Sequence, residues 1–194
     1  MKFLQKIKCC LTDPSKFFHR IKKEDLSEAF KFLSIISGIY FVFLFILYLA
    51  IYAVTGSLAG TEVEFPFALT SVFFLVGMFF IYLLFLGLSF ASALLIHFWC
   101  WLFGGKGTYR NSYQLVVYAN TPSFLLGWIP LINWVAGIYS LILLIIGTMK
   151  LHKMSDVRAI LIWVIPVAIL ILVSIALIAF VFIGMSTGFL PESI

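Results

Sequence analysis

His97 and Cys100 stand three residues apart in an apolar run, which puts an imidazole and a thiol on one face of a helix. Both can bind a transition metal, but a tetrahedral zinc site takes four ligands, and the next histidine, His152, lies in another loop. Trp99 and Trp101 beside them suit a membrane–water interface, so a hydrogen-bonded interfacial histidine is the plainer reading. A second set sits further on: Gln114, Tyr118, Asn120, Thr121 and Pro122 fall within one short, polar candidate span, and Asn133 follows. Polar side chains in a bilayer need partners and usually face the bundle interior or a cavity. They form either an intramembrane polar network that glues helices together or the lining of a pathway, with His97 at its edge. No Asp, Glu, Lys or Arg lies within the core of a span, which weakens ion-coupled transport.

No H-E-x-x-H, G-x-S-x-G or Walker A signature is present. Gly104-Gly105-Lys106-Gly107 carries a lysine among glycines, but it follows an apolar run rather than a strand. It reads as a structural turn, with glycine supplying a left-handed cap and Lys106 favouring the negative helix end. Catalytic, cofactor-binding and metal-binding residues are therefore not expected, and neither is a cofactor.

The elements that position these residues follow from composition. Of 194 residues, 63% are apolar and only 11% charged, against about 25% charged in a soluble domain. A mean hydropathy of +1.15 requires lipid as the solvent. At about 20 apolar residues per crossing, the chain is long enough for several spans. The pattern predicts an all-α integral membrane protein with five transmembrane helices at 29–54, 67–103, 109–126, 131–149 and 159–184. Residues 67–103 read as one long, tilted helix, because Gly77 and Gly87 have no charge or proline beside them to make a turn. Pro166 is expected to kink the last span. The first apolar run starts too far in, near Phe32, for a cleavable signal peptide. Cys9, Cys10 and Cys100 imply no disulfide framework.

All 13 Lys and Arg fall in residues 1–31, in the loop after the second span, or in the loop after the fourth. An odd number of spans puts those regions on one side. The positive-inside rule then makes the N-terminus cytoplasmic and the C-terminus, with its short tail 185–194, external. Charge of this kind points to membrane lipids rather than nucleic acid. Residues 1–28 form a basic cytoplasmic segment of short amphipathic helices. Lys2, Lys6 and Lys8 alternate with Phe3, Leu4 and Ile7, as in an interfacial helix with its lysine face on headgroups. Asp13-Pro14 starts a second helix, Asp13 as cap and Pro14 at the first position. That helix turns Lys16, Arg20, Lys22 and Lys23 to water or phosphate, and with Asp13 and Pro14 these are the candidate partner and lipid contacts. Asp25-Leu26-Ser27-Glu28 resembles a capping box for the first span. Ser34 with Gly38, and Gly87 with Ala91, give the small-residue spacing at which helices approach closely, within one subunit or in a homo-oligomer.

The order of these features is similar to that of the Yip membrane-protein family, the Yip-one domain of Rab/Ypt-interacting proteins. The resemblance covers roughly residues 10–185. It rests on Asp13-Pro14 followed by Phe17-Phe18, the Gly104–Gly107 turn, the Tyr118-x-x-x-Pro122 unit and the basic loop before a last span. It implies a five-span fold with a cytoplasmic N-terminus. Eukaryotic members are linked to Rab GTPases and vesicle traffic, but the short N-terminal segment here looks more like the compact prokaryotic members, which favours a prokaryotic plasma membrane. The expectation is a non-enzymatic scaffold or adaptor, binding lipid or an unknown membrane or cytoplasmic protein. The alternatives are a small channel or transporter lined by spans two to four, and a metalloprotein using His97 and Cys100.

Overall fold

A computed structural model describes the backbone of residues 1–59 and 67–186 and the side chains of 1–55 and 69–184. The described residues form helices only: α1 (Phe3–Thr12), α2 (Pro14–Ile21), α3 (Leu26–Ala59), α4 (Phe67–Leu102), α5 (Tyr109–Ala119), α6 (Thr121–Leu126), α7 (Ile132–Leu151) and α8 (Asp156–Ser186). Four of them are long and apolar enough to cross a bilayer, over Leu26–Thr55, Leu69–Leu102, Ile132–Leu151 and Asp156–Gly184. Helix α4 runs 36 residues without a break, and α8 continues through Pro166. Helix α3 carries on past the expected loop start at Thr55. The rest of that loop, with Gly60, Glu62 and Glu64, and the tail beyond Ser186 lie outside the described residues.

The expected third span, 109–126, is instead two short helices of 11 and 6 residues. Pro122 explains the break. In a continuous helix its nitrogen would face the carbonyl of Tyr118, four residues back, but proline has no N–H to give. The chain leaves helical geometry at Asn120 (φ −85°, ψ 3°). The freed Tyr118 carbonyl then accepts the Cys10 thiol at 3.3 Å. The Asn120 side chain donates back to Val116 O at 2.7 Å, which satisfies another carbonyl at the break.

Contacts fix how the helices run. Along α3, Phe32 packs on Tyr118, Tyr40 on Phe124 and Phe43 on Trp128, so α3 lies parallel to α5–α6. Phe30 meets Phe90 and Phe45 meets Phe74, so α4 returns antiparallel to α3. Asn111 bonds to Leu151 and Ser123 to Ser140, which makes α7 antiparallel to α5–α6. The small-residue face of α3 meets α4 here: the Tyr82 hydroxyl donates to Ser34 O at 2.9 Å and lies beside Gly38. Helix α8 packs by its first turns, Trp163 donating to Thr148 Oγ1 and Trp99 to Ile162 O. From Leu170 to Ile183 its large side chains are exposed, as a lipid-facing helix requires.

The N-terminal helices correct the expected lysine face at Lys6, while Lys2 and Lys8 are exposed. Helices α1 and α2 pack on the bundle rather than lying beside it. Phe17, Phe18 and Ile21 are buried against α5 and α7. Gly147 makes this docking possible, because a Cβ there would collide with Leu115 Cδ1 and lie 3.0 Å from the Phe18 ring. Lys6 is 4% exposed, not turned to headgroups. Asp13 caps α2 as expected, accepting from Lys16 N at 3.2 Å with Pro14 in the first turn. The Glu28 carboxylate bonds to Lys31 at 3.1 Å and lies 3.9 Å from Lys6.

Candidate functional site

Helix α5 is the hub. Asn111, Ser112, Tyr113, Gln114, Leu115, Val117, Tyr118 and Ala119 are all buried, although five of them carry a hydroxyl or an amide. Burial of such groups is costly unless each finds a partner. For the two amides the donors find helix ends, where the last carbonyls have no bond within their own helix. Asn111 Oδ1 and Gln114 Oε1 stay buried without a hydrogen-bond partner among the described residues. The three hydroxyls find side chains. Gln114 Nε2 donates to Ile21 O at 2.9 Å and to Glu24 O at 2.7 Å, closing the end of α2. Asn111 Nδ2 donates to Leu151 O at 3.1 Å, closing the end of α7. Lys106 N–H donates to His152 O at 2.9 Å beside it. The polar face of α5 therefore ties two other elements to the hub.

Two side-chain clusters grow from this frame. In the first, Lys6 pairs with Glu24, and the Tyr118 hydroxyl donates to the other Glu24 oxygen at 3.0 Å. Lys6 Nζ is also 3.3 Å from that hydroxyl and 5.7 Å from the ring centre. The Tyr118 ring is held edge-on by Phe17 at 5.1 Å. In the second, the Ser112 hydroxyl bridges His97 Nδ1 at 3.1 Å and His152 Nε2 at 3.2 Å, joining α4, α5 and the end of α7. A hydroxyl donates once and accepts from the other side, so one ring gives a proton to this bridge and the other receives one. Gly107 lets the His152 ring close over the turn, because any Cβ there would overlap it. Burial, with His97 close by, pushes His152 down to about 4. Burial likewise pushes the Cys10 thiol up to about 12, against the Thr121 hydroxyl. Asp13, at the surface, is held below the usual carboxylate range by its bonds to Lys16.

The residues singled out from sequence thus fall in several places. Gln114 and Tyr118 meet at Glu24. His97 joins Ser112 and His152 instead. Asn120 serves its own helix, Pro122 makes the break, and Asn133 sits across from Gly127 at the far end of α7. Gly104, at φ +82°, makes the left-handed cap after α4, and its N–H bonds to Trp101 O at 2.9 Å. Lys16 and Arg20 line a surface cleft with Lys150; Arg20 and Lys23 also border a groove with Glu24 and Glu28. Among the described residues, no three His, Cys, Asp or Glu side chains group so as to hold a metal ion. Sequence reasoning missed Lys6, Glu24, Asn111, Ser112 and His152. The available signals were a glutamate directly after two lysines and an Asn-Ser pair near the start of a buried helix.

The basic segments converge at this same end of the bundle. Arg110 Nη1 is 3.9 Å from Asp25 Oδ1, Lys106 meets His152, and the Arg158 guanidinium lies beside Gly104.

No curated protein and no solved structure matches the chain. The family model of the Yip1 domain matches residues 8–178, a stretch that holds α2–α7 whole, half of α1 and most of α8. With a match of that length and four apolar helices able to span a bilayer, the chain belongs to the Yip1-domain family as an integral, multi-pass membrane protein.

Proposed function

We propose that this protein is a non-enzymatic membrane scaffold or adaptor whose basic end binds a protein partner and anionic lipid. The observation that carries the reading is the convergence of three separate basic segments around a core whose polar groups are used for packing. The donors of Tyr118, Gln114 and Asn111 and the hydroxyl of Ser112 are bonded to helix ends and neighbouring side chains, which favours packing over the lining of a path. The surface left for recognition is Lys16, Arg20, Lys22, Lys23 and the loops at 104–110 and 150–158.

The topology belongs to the same proposal: five crossings, with the basic end in the cytoplasm of a prokaryotic plasma membrane. Support comes from the run of the helices. Helices α4 and α7 finish at the same end, so the chain must travel back between them, and α5–α6 is the segment that does so. The lack of Lys and Arg in the sequence at the opposite end supports the orientation.

Photocrosslinkers at Lys22 and at Trp134, on opposite ends of the bundle, test the adaptor role in native membranes. A stoichiometric protein adduct from Lys22 alone is the expected result. A protein without adducts that conducts ions in proteoliposomes, and loses that flux with Asn120→Leu, would replace this reading with a channel or transporter.

A further inference from the structure

Helix α2 and the last turn of α7 enclose a cleft of about 270 Å³ lined by Ser15, Lys16, His19, Arg20 and Lys150. The residues come from parts of the chain more than 120 positions apart, so no local run of charge makes it. Its walls are fixed, because Phe18 on the inner face of α2 is fully buried and seated against Gly147, three residues before Lys150. Asp13 neutralises Lys16 at 2.8 Å. Arg20 and Lys150 have no ion pair among the described residues. Two uncompensated cations, a third shared one and a hydroxyl therefore face one small concave space.

We propose that this cleft binds the phosphomonoester headgroup of a membrane lipid. A phosphomonoester carries a charge of about −1.5 to −2 with three strong acceptor oxygens, whereas a diester carries one negative charge. A planar guanidinium can grip two of those oxygens, and two ammonium groups complete the charge balance. The position selects a lipid over free phosphate. Lys150 is the next-to-last residue of the apolar span Ile132–Leu151, the level at which headgroups lie. The proposal rests on the reading of the basic end as lipid-binding and adds a defined site and a headgroup preference.

Calorimetric titration of the full chain in detergent with short-chain phosphatidic acid, and with phosphatidylglycerol as the diester, tests it. Wild type is expected to prefer the monoester. Arg20→Gln with Lys150→Gln should weaken monoester binding by roughly 30-fold, while Lys8→Gln with Lys31→Gln, outside both the cleft and the recognition surface, should weaken it less than about threefold. Both pairs are exposed, so unchanged melting temperatures are expected and separate binding from folding. Equal losses in the two pairs, or no preference for the monoester, would overturn the cleft while leaving general lipid attraction intact. Absence of binding to either lipid by wild type would remove the lipid reading as well. Inorganic phosphate displacing the lipid at matching concentration would make soluble phosphate the ligand and overturn the headgroup assignment.

Discussion

Neutralising Lys6 alone leaves the Glu24 carboxylate facing Tyr118 in a largely buried site with no cation. Breaking one side of a buried pair costs about 3 kcal/mol, more than removing both sides. Thermal unfolding in detergent should therefore show Lys6→Met well below wild type, with Lys6→Met/Glu24→Gln recovering most of the loss. A double variant no better than the single one would mean that the pair is not coupled. His152 makes a second residue-scale prediction. Its imidazole is neutral in the fold, with a pKa pushed down to about 4, against about 6.5 in the unfolded chain. A depressed folded value means the contribution is full above 6.5 and is lost as pH falls towards 4. The size is on the order of 3 kcal/mol. Melting temperature should fall between pH 6.5 and 4, and His152→Asn should flatten that slope. An unchanged slope would place the proton elsewhere.

At the scale of elements, the decisive contact is α2 on α7. Gly147→Leu would drive a side chain into Leu115 and Phe18, at about 1–3 kcal/mol for an overpacked core. The expected result is a lower melting temperature and proteolytic cleavage of the N-terminal helices before the rest. Gly137→Leu, with open space at that position, is the control. If both behave alike, α2 does not depend on the close approach at Gly147. The break between α5 and α6 has a similar single cause. It was signalled by the spacing of Tyr118 and Pro122, but a stretch of 18 residues between two turns reads as one short span until the thiol that receives the freed carbonyl is known. That thiol, Cys10, is 108 positions away.

For the whole molecule, the number of crossings decides which surfaces a cytoplasmic partner can reach. In a background without Cys9, Cys10 and Cys100, single cysteines at Lys106 and Leu131 should react with an impermeant maleimide from opposite sides of the membrane. Both positions are exposed, and α5–α6 lies between them. Labelling from the same side would remove the third crossing and return the count to the four long helices.

Composition and charge order by themselves determined the solvent, the helical class and the long apolar elements, because apolar length and the placing of Lys and Arg are local properties. The cap at Asp13 and the turn at Gly104 were legible for the same reason: each is satisfied within four residues of itself. Tertiary structure alone decided that Lys6 is buried, that Gln114 and Asn111 close other helices' ends, that Ser112 joins two histidines, and that Lys150 completes a cleft with Arg20. Each of those depends on a partner 15 or more residues away, sometimes more than 100. A polar side chain in lipid announces that it needs a partner, but only the packing of the helices determines which one it finds.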